Sequence, residues 1–366
     1  MSRRDVLRIL GGAAALGGAV LGCTKKNGSS QKILDQGKPQ VQWRMAVQWP
    51  ENTELYKSAL RMAAEIKALT NHELNLEVVK AGVEENLAKA VQAGKYDCAH
   101  TQASGLISEN KGFAFAQAIP FGLTASQQNA WIFEGLGLEL TRAMYSDYNL
   151  VNFPCGNTGC QMGGWFKREV KSLSEFKAVK TAATGMSKIV LEAMGVPVVD
   201  VQDGALMMAQ LKRGEISSAS WFGPFEEEQL GFHQEARFYY HPAWSTPGSM
   251  VELLIKKSTY DLISSFQKTV IKVVTEALTL DLFGRYSARN QQAIDRFLQA
   301  GVVFARMPDE VLSELKKTSD NQIAEISSKN KTFEKIHKDW LSFHHQINQW
   351  YHLNKTLFAK FNSINA

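Results

Sequence analysis

The stretch 154–166, PCGNTGCQMGGWF, places two cysteines, two amide side chains, four glycines and an aromatic pair within thirteen positions. Such a set suits a phosphate cradle, a thiol or metal site, or a strand crossing between two halves of a cleft. A phosphate cradle needs a strand, a glycine loop and a helix N-terminus in succession, usually with a lysine at fixed spacing. Here the run continues into KREVKSLSEFK, which reads as a surface turn and a short helix. The spacing of Cys155 and Cys160, C-x4-C, is neither a C-x-x-C redox pair nor half of a common zinc site. In an exported protein a disulfide could close this loop, but buried unpaired thiols are the expected state. A crossing strand fits best: glycines let the backbone pass close to its neighbours while Gln161, Trp165 and Phe166 face a cleft or a core.

The other groups capable of chemistry have plainer readings. Ser104 in QASGL and Ser220 in ASWFG lack the G-x-S-x-G elbow, and no histidine and acid complete a triad in readable form. An enzyme is therefore the rival class, and turnover of a bound solute by the purified protein is what would favour it. His337, His344, His345 and His352 lie in HKDWLSFHHQINQWYH, where the step from His337 to His344 puts two on one helix face. An amphipathic helix with solvated or capping histidines is expected there, not a metal centre. The triple glutamate Glu226–Glu228 reads as a solvated face. No metal and no cofactor is expected.

These groups have to be positioned by a chain of 366 residues, 45% hydrophobic, which can bury a large core as two lobes. It opens with MSRRDVLRILGGAAALGGAVLGC, an arginine pair ahead of a small apolar run closed by a cysteine. That pattern is an export signal over residues 1–22, similar to a twin-arginine signal. VLGC resembles a lipobox, which makes Cys23 the lipidated first residue of the mature protein and places it in the periplasm or at the cell surface on a membrane anchor. Residues 23–40 have the composition of a flexible tether. Removing 1–22 takes away three arginines and one aspartate, so the formal charge of +5 becomes +3. Without a basic stripe interleaved with aromatics, that excess does not argue for nucleic acid. No later segment is long and apolar enough to cross a membrane.

The chain repeats itself at an offset of 120. LNLEVVKAGVEENLAKAVQAGKYDCAH, residues 74–100, lies over MGVPVVDVQDGALMMAQLKRGEISSAS, residues 194–220. Each copy reads as a strand, an amphipathic helix closed by a glycine, and a second strand, and each is preceded by its own strand and helix. The expected fold is α/β with two similar lobes. Ligands of parallel sheets sit at the carboxyl ends of the strands. Those ends fall at Gln48 and Trp49, His100 to Ser104, Ala182 to Gly185, and Ser220 to Phe222, and they line one cleft if the lobes face each other.

FAFAQAIPFGLTASQQNAW, GNTGCQMGGWFKREVKSLSEFKAVK and WFGPFEEEQLGFHQEARFYYHPAW together resemble the solute-binding proteins of TRAP transporters, in particular the branch that binds 2-oxo acids or lactate. The resemblance runs from about Val41 to the end. It implies a two-domain periplasmic binding protein fold, type II-like, with long C-terminal helices. Domain I would comprise residues 41–159 plus 251–288 and domain II residues 160–250 plus 289–366. It also implies a small solute as ligand, membrane permease subunits as partners, and a homodimer as an available assembly. The family's ligand-clamping arginine falls on Ala182, in FKAVKTA. Its two metal-holding carboxylates fall on Ser220, before Trp221, and Thr246, after Trp244. Lys180 or Lys188 could substitute for the arginine, as a point charge without its fork. The cleft is thus expected to hold an uncharged, zwitterionic or partly apolar solute through Trp49, His100, Gln161, Ala182, Thr184, Ser220, Trp221, Trp244 and Thr246. Loss of the usual ligand groups would also permit a sensor or adaptor role.

Overall fold

A computed structural model describes residues 40–82 and 85–364. The export signal, the lipidation at Cys23 and the tether up to residue 39 lie outside the described residues. Eleven strands are described: β1 (Val41–Val47), β2 (Leu74–Lys80), β3 (Cys98–Thr101), β4 (Leu150–Asn157), β5 (Gly164–Phe166), β6 (Thr181–Ala182), β7 (Val198–Val199), β8 (Ser218–Ala219), β9 (Phe238–His241), β10 (Met250–Lys256) and β11 (Val303–Arg306). They form two sheets, β2-β1-β3-β10-β4 and β11-β9-β5-β8-β6-β7.

The repeat seen in the sequence is a repeat of structure. In the first copy β2, helix α2 (Leu87–Ala93) and β3 follow one another; in the second, β7, helix α4 (Gly204–Arg213) and β8 do so. Asn86 caps α2 by accepting from the Lys89 amide at 3.2 Å, and Asp203 caps α4 by accepting from the Leu206 amide at 2.7 Å. Each helix ends on a left-handed glycine, Gly94 at φ 80° and Gly214 at φ 74°, a conformation other residues adopt only at a cost. The preceding units match as well. β1, followed by helix α1 (Glu54–Leu69), pairs in parallel with β2 and β3, and β6, followed by helix α3 (Gly185–Ala193), pairs in parallel with β7 and β8.

Beyond these three parallel strands each sheet adds an antiparallel one delivered from the other half. β10 lies between β3 and β4, antiparallel to both. β5 lies between β8 and β9, again antiparallel to both. The chain therefore crosses between sheets three times, from β4 to β5, from β9 to β10 and from β10 to β11. The first crossing is the glycine-rich stretch. Gly163 sits there so close to the Tyr240 and Pro242 carbonyls that a Cβ would come within 3.0 Å of both. Trp165 is in the core, stacked on Tyr239 at 4.0 Å. The thiols are unpaired, but Cys98 and Cys155 alone are buried; Cys160 is exposed, which corrects the expectation of a buried pair at 155 and 160.

Helix α6 (Ser265–Gln299), about 50 Å long at the standard rise, packs along β4 and α1 and then along helix α5 (Pro224–Leu230). One continuous core runs from Met45 and Leu253 of the first sheet through Leu278 and Leu282 of α6 to Trp165 and Tyr239 of the second. Helix α7 (Asp309–Lys329) packs on α3, while helix α8 (Lys331–Tyr351) lies on the first-sheet side. There Phe333, Ile336 and Trp340 join Phe113, Phe115 and Trp131. The sequence division grouped this helix with the second half. Two of its histidines are packing groups: His344 stacks on Trp340 at 4.9 Å, and His337 lies against Phe115 and Phe333; His345, and His352 just beyond the helix, are exposed.

The triple glutamate is not a solvated face. Glu226 and Glu227 are fully buried, and Glu228 pairs with Arg296. Glu226 reaches out of α5 to cap α1, accepting from the Glu54 amide at 2.8 Å and from the Tyr286 hydroxyl at 2.6 Å. Glu54 in turn pairs with Arg61 and Arg289, each at 2.7 Å. Burial raises the Glu226 carboxyl from 4.5 to about 7. Burial also raises Glu252, which accepts from Tyr145 and Asn152 in the first sheet, to about 7. Because the folded values lie above the unfolded one, folding favours the protonated acid. That contribution is complete below pH 4.5 and is lost as the pH rises through 7. Unfolding free energy, measured by urea denaturation, is expected to fall by up to about 3 kcal/mol per group between pH 4.5 and 8. Glu226→Gln is expected to remove its share of that slope.

Candidate functional site

The four strand ends do converge. A cavity of about 110 Å³ lies where the sheets face each other, lined from the first half by Gln48, Trp49, Gln102, Ser104 and Gln117. The second half supplies Phe166, Thr181, Ala182, Thr184, Gln202, Asp203, Ser220, Trp221 and Phe222, and the crossing segments supply Gln161, Trp244, Thr246 and Ser249. Outward it continues into a wider space of about 660 Å³, which shares Gln48, Ser104, Gln202 and Asp203 and adds Lys111, Lys188, Glu192 and Asp200.

Of the nine residues picked from the sequence, eight line the inner cavity: Trp49, Gln161, Ala182, Thr184, Ser220, Trp221, Trp244 and Thr246. His100 does not. It is fully buried on β3 behind Trp49, whose indole Nε1 donates to His100 Nδ1 at 2.6 Å. Neither lysine considered as a stand-in for the arginine reaches the inner cavity. Lys180 is exposed, and Lys188 sits in the outer space paired with Asp200 at 2.7 Å. Gln102 falls within the strand end at His100 to Ser104, whereas Gln117, Gln202, Asp203 and Ser249 carry no motif and no local signal marks them.

Local bonds fix the walls. Gln161 and Thr246 are held side by side by a backbone bond from the Gln161 amide to the Thr246 carbonyl, 3.2 Å. Gln117 Nε2 donates to Gln102 Oε1 at 3.3 Å, and Gln102 Nε2 donates to Ser249 Oγ at 2.6 Å. Trp221 donates its amide to Glu227 at 2.6 Å and its indole N–H to the Gln202 carbonyl at 3.2 Å. The same Glu227 carboxylate accepts from Trp165 Nε1 at 2.9 Å and from the Tyr239 hydroxyl. Aromatic contacts close the cavity from both sides: Trp49 meets Phe222 edge-on at 5.6 Å, and Phe222 meets Trp221 at 4.6 Å. Across the mouth, Ser104 Oγ donates to Gln202 Oε1 at 3.3 Å. The lining therefore offers five glutamine amides, several hydroxyls and six aromatic rings. Among the described residues Asp203 is its single charged side chain.

Two facing sheets joined by three crossings, with a small polar and aromatic cavity where their strand ends meet, define a two-lobed solute receptor. The chain belongs to the bacterial extracellular solute-binding protein family 7, whose model matches residues 45–330. A monocarboxylate 2-oxoacid-binding periplasmic protein of Nostoc sp. is 34% identical over 366 residues, 99% of each chain. A solved TRAP transporter solute-binding protein of Bordetella bronchiseptica, with copurified calcium and picolinate, is 28% identical with a TM-score of 0.86, and the match covers 89% of this chain and 98% of that one. A TRAP periplasmic solute-binding protein of Colwellia psychrerythraea, with calcium and pyruvate, is 25% identical with a TM-score of 0.84, and covers 88% of this chain and 99% of its own. The resemblance read from the sequence is thus one of family and fold.

The lining does not offer the ligands that calcium, held by those two structures, requires. Calcium takes roughly six to eight oxygens, several from carboxylates. Here Ser220 and Thr246 present hydroxyls, and the one carboxylate in the lining, Asp203, already accepts the Leu206 amide. Among the described residues no three His, Cys, Asp or Glu side chains are grouped to hold a metal. The residues present do not fit the ion.

Trp221 lies directly on Gly204, where a Cβ would meet the indole ring at 2.7 Å and Leu230 at 2.6 Å. Gly204→Ala is expected to lower unfolding free energy in urea by about 1–3 kcal/mol through overpacking. Gly284→Ala, in open space within α6, is expected to raise it by about 0.5–1 kcal/mol.

Proposed function

We propose that the chain captures a small uncharged, zwitterionic or partly apolar solute in the cavity between its sheets. Anchored through a lipid on Cys23, it then delivers that solute to TRAP membrane permease subunits. The observation that carries this reading is the lining itself: eight chosen residues meet in one cavity, and no arginine, lysine or histidine side chain is among its walls. The Nostoc relative is named for 2-oxo acids, yet a lone carboxylate brought into such a pocket would lose its water and gain no cation, a cost of several kcal/mol. A zwitterion meets a better set of partners. Asp203 suits its ammonium group. The positive end of α3, whose N-cap Thr184 makes no side-chain capping bond, suits its carboxylate. Uncharged solutes are served by the glutamine amides and by stacking on Trp49, Trp221 and Trp244.

Native mass spectrometry of protein purified without added solute is expected to show an uncharged or zwitterionic molecule retained. Calorimetry should show weak pyruvate binding to the wild type. Ala182→Arg should tighten it by about 10–100-fold, as one charged bidentate contact implies. A retained 2-oxo acid anion, or no gain in a folded Ala182→Arg protein, would count against the reading.

A further inference from the structure

We propose that His100 is a positioning residue: from behind the cavity wall it sets the orientation of Trp49, and through Trp49 the aromatic contact that joins the two halves over the solute. The inference rests on the cavity being the solute site. An indole N–H can only donate, so the bond from Trp49 Nε1 to His100 Nδ1, 2.6 Å long, makes Nδ1 the acceptor. The proton of the neutral imidazole then belongs to Nε2, which is buried without a partner. Burial lowers the imidazole to about 3, so the acceptor lone pair is present at any ordinary pH. A histidine whose only side-chain hydrogen bond goes to a wall residue, and whose second nitrogen is left unmatched in the core, is costly as packing alone.

Geometry gives that bond its use. The Trp49 and His100 rings stand at 88° with centroids 6.0 Å apart, which turns the indole toward Phe222 of the other half, 5.6 Å away at 80°. Phe222 in turn rests on Trp221. One hydrogen bond in the first sheet thus fixes the near end of an aromatic row whose far end is anchored in the second. Without the acceptor, the indole would have to leave its N–H unpaired in the core or turn away from Phe222.

The test compares His100→Leu, which removes the acceptor, with His100→Asn, whose side-chain oxygen can replace Nδ1. In 1H–15N spectra the Trp49 indole signal is identified by its loss in Trp49→Phe. It is expected to be slow-exchanging in the wild type and His100→Asn, and shifted and fast-exchanging in His100→Leu. In native mass spectra, occupancy by the co-purified solute is expected to fall at least about fivefold in His100→Leu and in Trp49→Phe, and no further in the double variant. An unchanged indole signal in His100→Leu, or failure of His100→Asn to keep it, would overturn the positioning role, and so would additive losses. Should His100→Leu not fold, Trp49→Phe and His100→Asn still decide: a folded His100→Asn with a fast-exchanging indole overturns the proposal, and a slow one upholds it. If wild-type protein never carries a solute while the indole signals behave as expected, the solute reading fails and the positioning of Trp49 stands.

Discussion

Two adjacent carboxylates, Glu226 and Glu227, hold the arrangement together. A buried carboxylate is tolerated only when donors surround it, and each of these has drawn its donors from distant parts of the chain. Glu227 takes the Trp221 amide, the Trp165 indole and the Tyr239 hydroxyl, and so ties the cavity wall to the strands of the second sheet. Glu226 faces the other way and takes the first amide of α1 together with Tyr286 of α6. A short helix thereby connects the floor of the cavity, the first half and the long spanning helix. The raised carboxyls are the electrostatic counterpart of that connection: the groups are kept where water is absent because their geometry is needed there.

The cavity reached by these supports is unusual in charge and ordinary in position. It occupies the place that parallel sheets reserve for ligands, outside their carboxyl ends. Two solved relatives hold calcium together with picolinate or pyruvate. Here Ala182, Ser220 and Thr246 are among the residues of the lining, and the walls are mostly amide, hydroxyl and aromatic.

Much of the fold was legible because it rests on periodicity. Strand, helix, glycine and strand recur at one spacing, and strand ends can be counted off without knowing how the sheets lie. The crossing at 158–163 was legible from its glycines. What escaped were features set by partners remote in sequence. The glutamate run has the look of a solvated patch until Trp165, Tyr239 and Tyr286 are brought to it. All four residues of β3 are buried, so alternation could not say that His100 points away from the cavity. Gln117 and Ser249 are drawn to Gln102 by hydrogen bonds, the one to Ser249 between segments 147 residues apart, and nothing in their own neighbourhoods marks them. The amphipathic pattern of α8 foretold a packed face and was silent on which half it would cover.

The exchange of strands has a consequence for biogenesis. On a ribosome, the first sheet lacks its fourth member until residue 256 has been made, because β10 belongs between β3 and β4 and comes after five of the six strands of the second sheet. Until then β3 and β4 present open edges, the feature that invites pairing with strangers. Neither half is a module that could be inherited, cut out or grafted by itself. Maturation is a matter of all or nothing, with a late stitch closing the earliest seam.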